Sequence, residues 1–148
     1  MKKKGENKMS KVAVVYYSGT GNTQAMAEAV AAGVQNAGGE AELISCEEFD
    51  VTSADAYDAL AFGCPAMGAE ELEETVFEPM FSAVEGFLAG KNVGLFGSFG
   101  WGDGTWMHNW EDRVRGDGAV LVADGVMANG APDATAEVEC AALGAALA

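Results

Sequence analysis

Short apolar runs alternate with longer helical segments along the chain, and this alternation limits the fold more than any other feature. Lys11–Tyr17 (KVAVVYY) is β-branched and aromatic and stops at Ser18-Gly19, the pattern of a strand buried on both faces. A helix is expected from about Gly21 to Ala37, with Met26, Val30 and Val34 on one side and Gly38-Gly39 ending it. Ala41–Ser45, Ala59–Gly63, Asn92–Gly97 and Ala119–Ala123 read as the second to fifth strands. A helix starting near Pro79 and ending at Gly90 fits proline's place in a first turn. Trp106, Trp110 and Val114 mark the buried stripe of another, ending at Gly116, and Pro132-Asp133 opens a closing helix to Leu147. Segment 46–58 shows no regular period. Strands separated by helices build a parallel sheet covered on both faces, and ligands then sit beyond the carboxyl ends of the strands. The functional residues are expected just after strands 1, 3, 4 and 5.

The chain has 148 residues, enough for one domain with a real core. Residues 1–8 read as a polar extension and 9–148 as the domain. The opening MKKKGENKM has the charge of a signal-peptide start, but no adequate apolar stretch follows, and no run approaches membrane-spanning length. Cys46, Cys64 and Cys140 are an odd set without CxxC spacing, which fits reduced thiols and a cytoplasmic protein. A formal net charge of −15 repels phosphate backbones and anionic lipid, so neither nucleic acid nor membrane is an expected partner. The same charge suits partner proteins with basic docking surfaces.

The richest stretch in chemistry is Ser18-Gly19-Thr20-Gly21-Asn22-Thr23, which joins the first strand to the first helix. Unpaired N–H groups and the helix dipole at such a junction attract an anion, and two glycines let the backbone wrap around it. A Walker A loop needs Gly-Lys-Ser/Thr where this chain has Gly-Asn-Thr. A dinucleotide loop needs a third Gly where Gln24 stands. What remains is a neutral cradle for a phosphate monoester, three hydroxyls and a carboxamide adding hydrogen bonds. A plain small-residue turn with Thr20 or Asn22 capping the helix is the structural alternative.

The string YYSGTGNT resembles the FMN-phosphate loop of flavodoxins, and the likeness continues through GCPAMG (63–68), LFGSFGWGDG (95–104) and the loop before Pro132-Asp133. It spans about residues 9–148 and is nearest to the short-chain clostridial-type members. The resemblance implies a flavodoxin-like three-layer α/β sandwich: a five-stranded parallel sheet, order 2-1-3-4-5, with helices on both faces. It implies FMN held without a covalent bond by Ser18, Gly19, Thr20, Gly21, Asn22 and Thr23 at the phosphate. Around the ring it implies Pro65, Ala66, Met67, Gly68, Ala69, Glu70, Ser98, Phe99, Gly100, Trp101, Gly102, Asn129 and Gly130. Trp101 and Met67 sit on glycine-flanked loops and would face the two sides of a planar ligand.

By the same resemblance the Gly68–Ala69 peptide flips on reduction so that its carbonyl accepts from flavin N5–H. Glu70 would accept from N3–H. Ala69 departs from the Asp or Ser common in the family and adds no polar contact of its own. The implied activity is low-potential one-electron carriage between neutral semiquinone and anionic hydroquinone, by a monomer that is not an enzyme. Each carboxylate about 10 Å from an anionic flavin costs it roughly 1.7 kcal/mol at an effective dielectric of 20, so the acidic surface favours a strongly reducing second step.

The alternative function is an FMN-dependent NAD(P)H:quinone-type reductase on the same fold, for which no nicotinamide-site residues stand out. A signalling receiver domain would need an acidic cluster after strand 1 and an Asp after strand 3, where Ser18-Gly19-Thr20 and Cys64-Pro65 stand. His108 has no ligand set around it in sequence, Cys64 reads as apolar packing, and Glu70, Glu71, Glu73 and Glu74 read as a solvated docking face.

Overall fold

A computed structural model describes residues 10–17, 19, 21–67, 70–100 and 102–148. The first strand, β1 (Lys11–Tyr16), leads into α1 (Asn22–Asn36), then β2 (Glu40–Ser45), β3 (Ala59–Gly63), α2 (Phe77–Val84), β4 (Asn92–Phe99) and α3 (Thr105–Gly116). β5 (Val120–Leu121), β6 (Val126–Asn129) and α4 (Ala134–Leu147) complete the chain. The six strands pair in parallel, in the order β2-β1-β3-β4-β5, with β6 also on β4. The expected α/β sheet and its 2-1-3-4-5 order are present.

Alternation along each strand sends side chains to two separate cores. Val12 and Val14 face α1 and α4, with Ala59, Ala61, Phe96, Cys140 and Leu143. Ala13 and Val15 face α2 and α3, with Phe62, Phe77, Phe81, Trp106 and Trp110. Phe81 meets both Phe62 and Trp110 edge-on, at centroid distances of 5.1 and 5.7 Å. On the other face α1 and α4 lie very close, because a Cβ on Gly144 would strike the Val30 carbonyl and one on Gly33 the Ala141 carbonyl.

Three boundaries differ from the sequence reading. The expected fifth strand Ala119–Ala123 is only Val120–Leu121. The chain leaves the sheet and rejoins it as β6, where Phe96–Phe99 of a longer β4 pair with Val126–Asn129. Glu111, buried on α3, ties down the break by accepting from Gly125 N–H at 2.7 Å. α2 begins at Phe77 rather than near Pro79 and ends at Val84 rather than Gly90, with a 3₁₀ turn at Glu85–Phe87 after it; the proline thus takes the third helical position, whose N–H has no intrahelical partner anyway. The unassigned segment contains a 3₁₀ helix, Val51–Ala56, started by Asp50, which accepts from Thr52 N–H at 3.0 Å.

Candidate functional site

The carboxyl ends of β1, β3 and β4 open into one cavity of about 290 Å³. It is lined by Tyr17, Gly19 and Asn22 after β1, by Pro65, Ala66 and Met67 after β3, and by Ser98, Phe99 and Gly100 at the end of β4. Gly130, after β6, closes the ring. Backbone bonds hold these loops in register. Tyr17 N–H donates to the Gly63 carbonyl at 2.9 Å, Ala66 N–H to Ser98 at 3.0 Å and Gly130 N–H to Phe99 at 2.9 Å. Met67 pairs with Glu71 in a short antiparallel bridge and stands 38% exposed at the rim.

The wall at α1 suits an anion. Gly21 starts the helix at φ 95°, in the left-handed region open to glycine, and has no side chain of its own to cap that end. α4 shows the contrast: its Asp133 carboxylate accepts from Ala136 N–H at 2.8 Å. No acidic residue lies in the first turn of α1. Neither Lys nor Arg lines the cavity among the described residues, so its described lining is neutral. Asn22 is the first helical residue, and Thr20, the other capping candidate, lies outside the described residues.

Of the residues expected at the site, nine line this cavity: Gly19, Asn22, Pro65, Ala66, Met67, Ser98, Phe99, Gly100 and Gly130. Ser18, Thr20, Gly68, Ala69 and Trp101 lie outside the described residues, as does the N-terminal extension 1–8. The stacking and peptide-flip expectations fall there too. Gly21, Thr23, Glu70, Gly102 and Asn129 are near but do not line it. Thr23 is only 1% exposed, and its hydroxyl meets Ser98 instead.

Glu70 sits in a left-handed conformation, φ 61°. Its carboxylate reaches across to the next loop, accepting from Asp103 N–H at 3.3 Å and Trp106 N–H at 3.2 Å. It therefore caps the start of α3, and Gly102 lacks a side chain where one would strike this carboxylate. The loop after β3 and the loop after β4 are thus clasped together. Trp106 adds a second clasp, its Nε1–H donating to the Cys64 carbonyl at 3.2 Å.

Two residues escaped the sequence reading. Tyr17 lines the cavity, although it looked like the last residue of a strand. Burial first, and then the Glu73 carboxylate, raise the pKa of its phenol. Glu73 was grouped with a solvated face but is 5% exposed. It accepts from the N–H groups of Thr75, Val76 and Phe77 at 2.9, 2.8 and 2.9 Å, and from the Thr75 hydroxyl. Burial opposes its charge, but these hydrogen bonds prevail and hold its pKa at about 2. The signal was present in Glu73-Glu74-Thr75-Val76-Phe77, an acid just ahead of an apolar helical run. Glu71 and Glu74 are exposed, as expected.

The remaining candidates are structural. Cys64 is fully buried, and burial pushes its thiol pKa well up; Cys46 rises to about 11 for the same reason. Trp106 and Trp110 are each 2% exposed in the core. Among the described residues no cluster of His, Cys, Asp and Glu is arranged to hold a metal, and no helix is long and apolar enough to cross a membrane.

A family model described as Flavodoxin matches residues 14–144. A flavodoxin of Megasphaera elsdenii is 45% identical over 137 residues, which is 93% of this chain and 98% of that one. A flavodoxin of Clostridium beijerinckii is 42% identical over 131 residues, covering 88% and 94%. The solution structure of the two-electron reduced M. elsdenii protein matches with a TM-score of 0.85, over 92% of this chain and 97% of that one. With sheet order, cavity and sequence in agreement, the chain belongs to the flavodoxin family.

Proposed function

We propose that this chain carries FMN in the cavity at the sheet edge and passes electrons one at a time, at low potential, to proteins with basic docking surfaces. Electron transfer with FMN is the activity of the family to which it belongs, and the reductase alternative is not favoured. The observation that carries the assignment of the site is the convergence of three loops and a glycine-led helix start on one cavity whose described lining is neutral. Asn22, Gly19 and the N–H groups opening α1 would hold the phosphate. Pro65, Ala66, Met67, Phe99 and Gly100 would enclose the ring, with Gly130 at its edge. FMN, once bound, supplies the one-electron chemistry, and the protein orients it, excludes water and sets the surrounding charge.

Charge is unevenly placed. The described basic residues, Lys11, Lys91, Arg113 and Arg115, stand at the start of β1, just ahead of β4 and in the last turn of α3. Lys11, Lys91 and Arg115 lie at the end of the sheet away from the cavity, while the Arg113 guanidinium is paired with Glu78 and Glu85 at 2.6 and 2.8 Å. Glu47, Glu48, Glu70, Glu71, Glu74 and Asp103 lie on the loops at the cavity end. This field opposes added negative charge in the cavity and draws basic partner surfaces to the exposed rim around Met67. The protein works as a monomer in this reading.

Titrating the apoprotein with FMN should quench flavin fluorescence with a 1:1 end point. A reductive titration should then resolve two separate one-electron steps, the second strongly reducing. A single concerted two-electron step near the potential of free flavin would refute the carrier reading. Rapid turnover with NADH alone would favour the reductase.

A further inference from the structure

We propose that the groove between the loop after β3 and α3 receives an arginine residue of the redox partner, as a contact separate from the exposed rim around Met67. The guanidinium meets Glu71 and Glu70, and a main-chain carbonyl of the same residue accepts from the Trp110 indole N–H. This names one contact of the partner in the carrier reading above and rests on that reading. The groove encloses about 400 Å³, a volume within the range of ligand pockets. Its buried residues, Leu72, Trp106 and Trp110, make an apolar floor, while Glu71 and Asn109 stand exposed at its mouth.

Two features select the occupant. The first is a donor without a partner. Trp110 is 2% exposed, and its Nε1–H is buried with no hydrogen-bond partner among the described residues. The rings packed against it, Phe77 and Phe81, have no oxygen or nitrogen to accept. A buried N–H left unpaired is costly, and a ligand that brings an acceptor relieves that cost. The second feature is charge. Glu70, Glu71 and Glu78 line the groove against one cation, Arg113. Arg113 is already committed, donating to Glu78 at 2.8 and 2.6 Å and to Glu85 at 2.8 and 2.9 Å. Glu71 has no basic partner among the described residues. Glu70 accepts two long bonds from the start of α3 and keeps lone pairs to spare. The groove therefore suits a cation that also carries an acceptor oxygen. No described cluster of His, Cys, Asp and Glu could hold a metal ion, and a metal ion brings no acceptor. An arginine residue supplies both needs: its carbon stem lies on the apolar floor, and its forked N–H groups meet two carboxylates at once. Because Glu70 clasps the loops after β3 and β4, a partner anchored here sits beside the loops that enclose the ring.

The test uses the FMN-loaded protein and N-acetyl-arginine N-methylamide, which carries the guanidinium and the flanking carbonyls of an arginine residue. In a heteronuclear NMR titration the Trp110 indole N–H and the amides of Glu71 and Asn109 should shift and saturate with a Kd on the order of 1 mM, as suits so small a ligand. The citrulline analogue, neutral and nearly the same shape, should bind about tenfold more weakly. Glu71→Gln should weaken the arginine probe about threefold. Glu28→Gln, exposed on α1 across the sheet, should leave its affinity unchanged. Trp110→Phe keeps an aromatic ring without the N–H and should cost about threefold to tenfold. If that variant folds poorly, the indole shift in the parent and the Glu71 variant still decide. No saturable shift at the Trp110 indole, equal binding of the citrulline analogue, or an unchanged affinity in Glu71→Gln would overturn the inference while leaving FMN carriage intact. A parent apoprotein that takes up no FMN would instead overturn the functional reading and this inference with it.

Discussion

Replacing Glu73 by Gln tests how the loop beside the cavity is held. The ionised carboxylate sits under the start of α2 and collects three backbone N–H groups and a hydroxyl. Its pKa of about 2, against 4.5 for an unperturbed glutamate, makes the charged folded state more stable by about 3 kcal/mol. The pKa is depressed in the folded state, so this contribution is complete above about pH 4.5 and disappears as pH falls toward 2. Glutamine has the same shape, but its NH₂ would face the donors that Oε2 now accepts. The variant should therefore lose about 3 kcal/mol at pH 7 and converge with the parent near pH 2. Urea unfolding of the apoprotein, followed by fluorescence of the buried Trp106 and Trp110, measures the difference at each pH. Taking the difference cancels the many other carboxylates. A gap below 1 kcal/mol at pH 7, or one constant from pH 7 to pH 3, would refute the reasoning. Because Glu73 N–H also points at Cys64 Sγ, 3.4 Å away, the variant should loosen the loop after β3 and weaken FMN binding too.

Asp117 shows the opposite sign. Burial, then the hydrogen bond and charge of Glu85, push its pKa up to about 6, so its stabilising influence fades as pH rises from about 4 through 6. Asp117→Asn should match the parent near pH 4 in urea unfolding and exceed it by on the order of 1 kcal/mol at pH 7.5. Gly144→Ala places a Cβ against the Val30 carbonyl, where neither helix can give way locally. It should cost about 1–3 kcal/mol and lower Tm, whereas Gly86→Ala meets nothing within 4 Å and should be neutral or slightly stabilising. Gly21→Ala also meets nothing, so its penalty is the φ of 95° alone, about 1 kcal/mol, with Gly21→Asn recovering part of it. Thermal melts of the four glycine variants and their FMN affinities check these values.

The sheet was legible because its central strands, β1, β3 and β4, are buried on both faces. KVAVVY, ALAFG and NVGLF have no polar face, and little else accommodates such short runs. The fifth position failed the same test for a physical reason. Val126–Asn129 is flanked by Gly125 and Gly130 and shows no strong period. It is a strand because β4 extends to Phe99 and its outer edge needs partners there. Pairing across thirty residues is a property of the partner, and a local window carries no trace of it.

The glutamates of the loop after β3 sharpen the point about the site. Glu70, Glu71, Glu73 and Glu74 look interchangeable in GAEELEETVF, and a solvated acidic face is the natural reading of all four. The structure separates them by which unpaired N–H groups each can reach. Glu73 lies just ahead of α2 and takes its orphan donors; Glu70 reaches those of α3, more than thirty residues away. Glu71 and Glu74 find none and remain in water. Only the first of these roles follows from sequence spacing, since a helix start four residues downstream is a local fact. The second depends on two loops converging, as does the Thr23–Ser98 contact. Long-range clasps of this kind hold together the cavity on which the functional reading rests, so the residues hardest to read are those that connect its walls rather than those that line it.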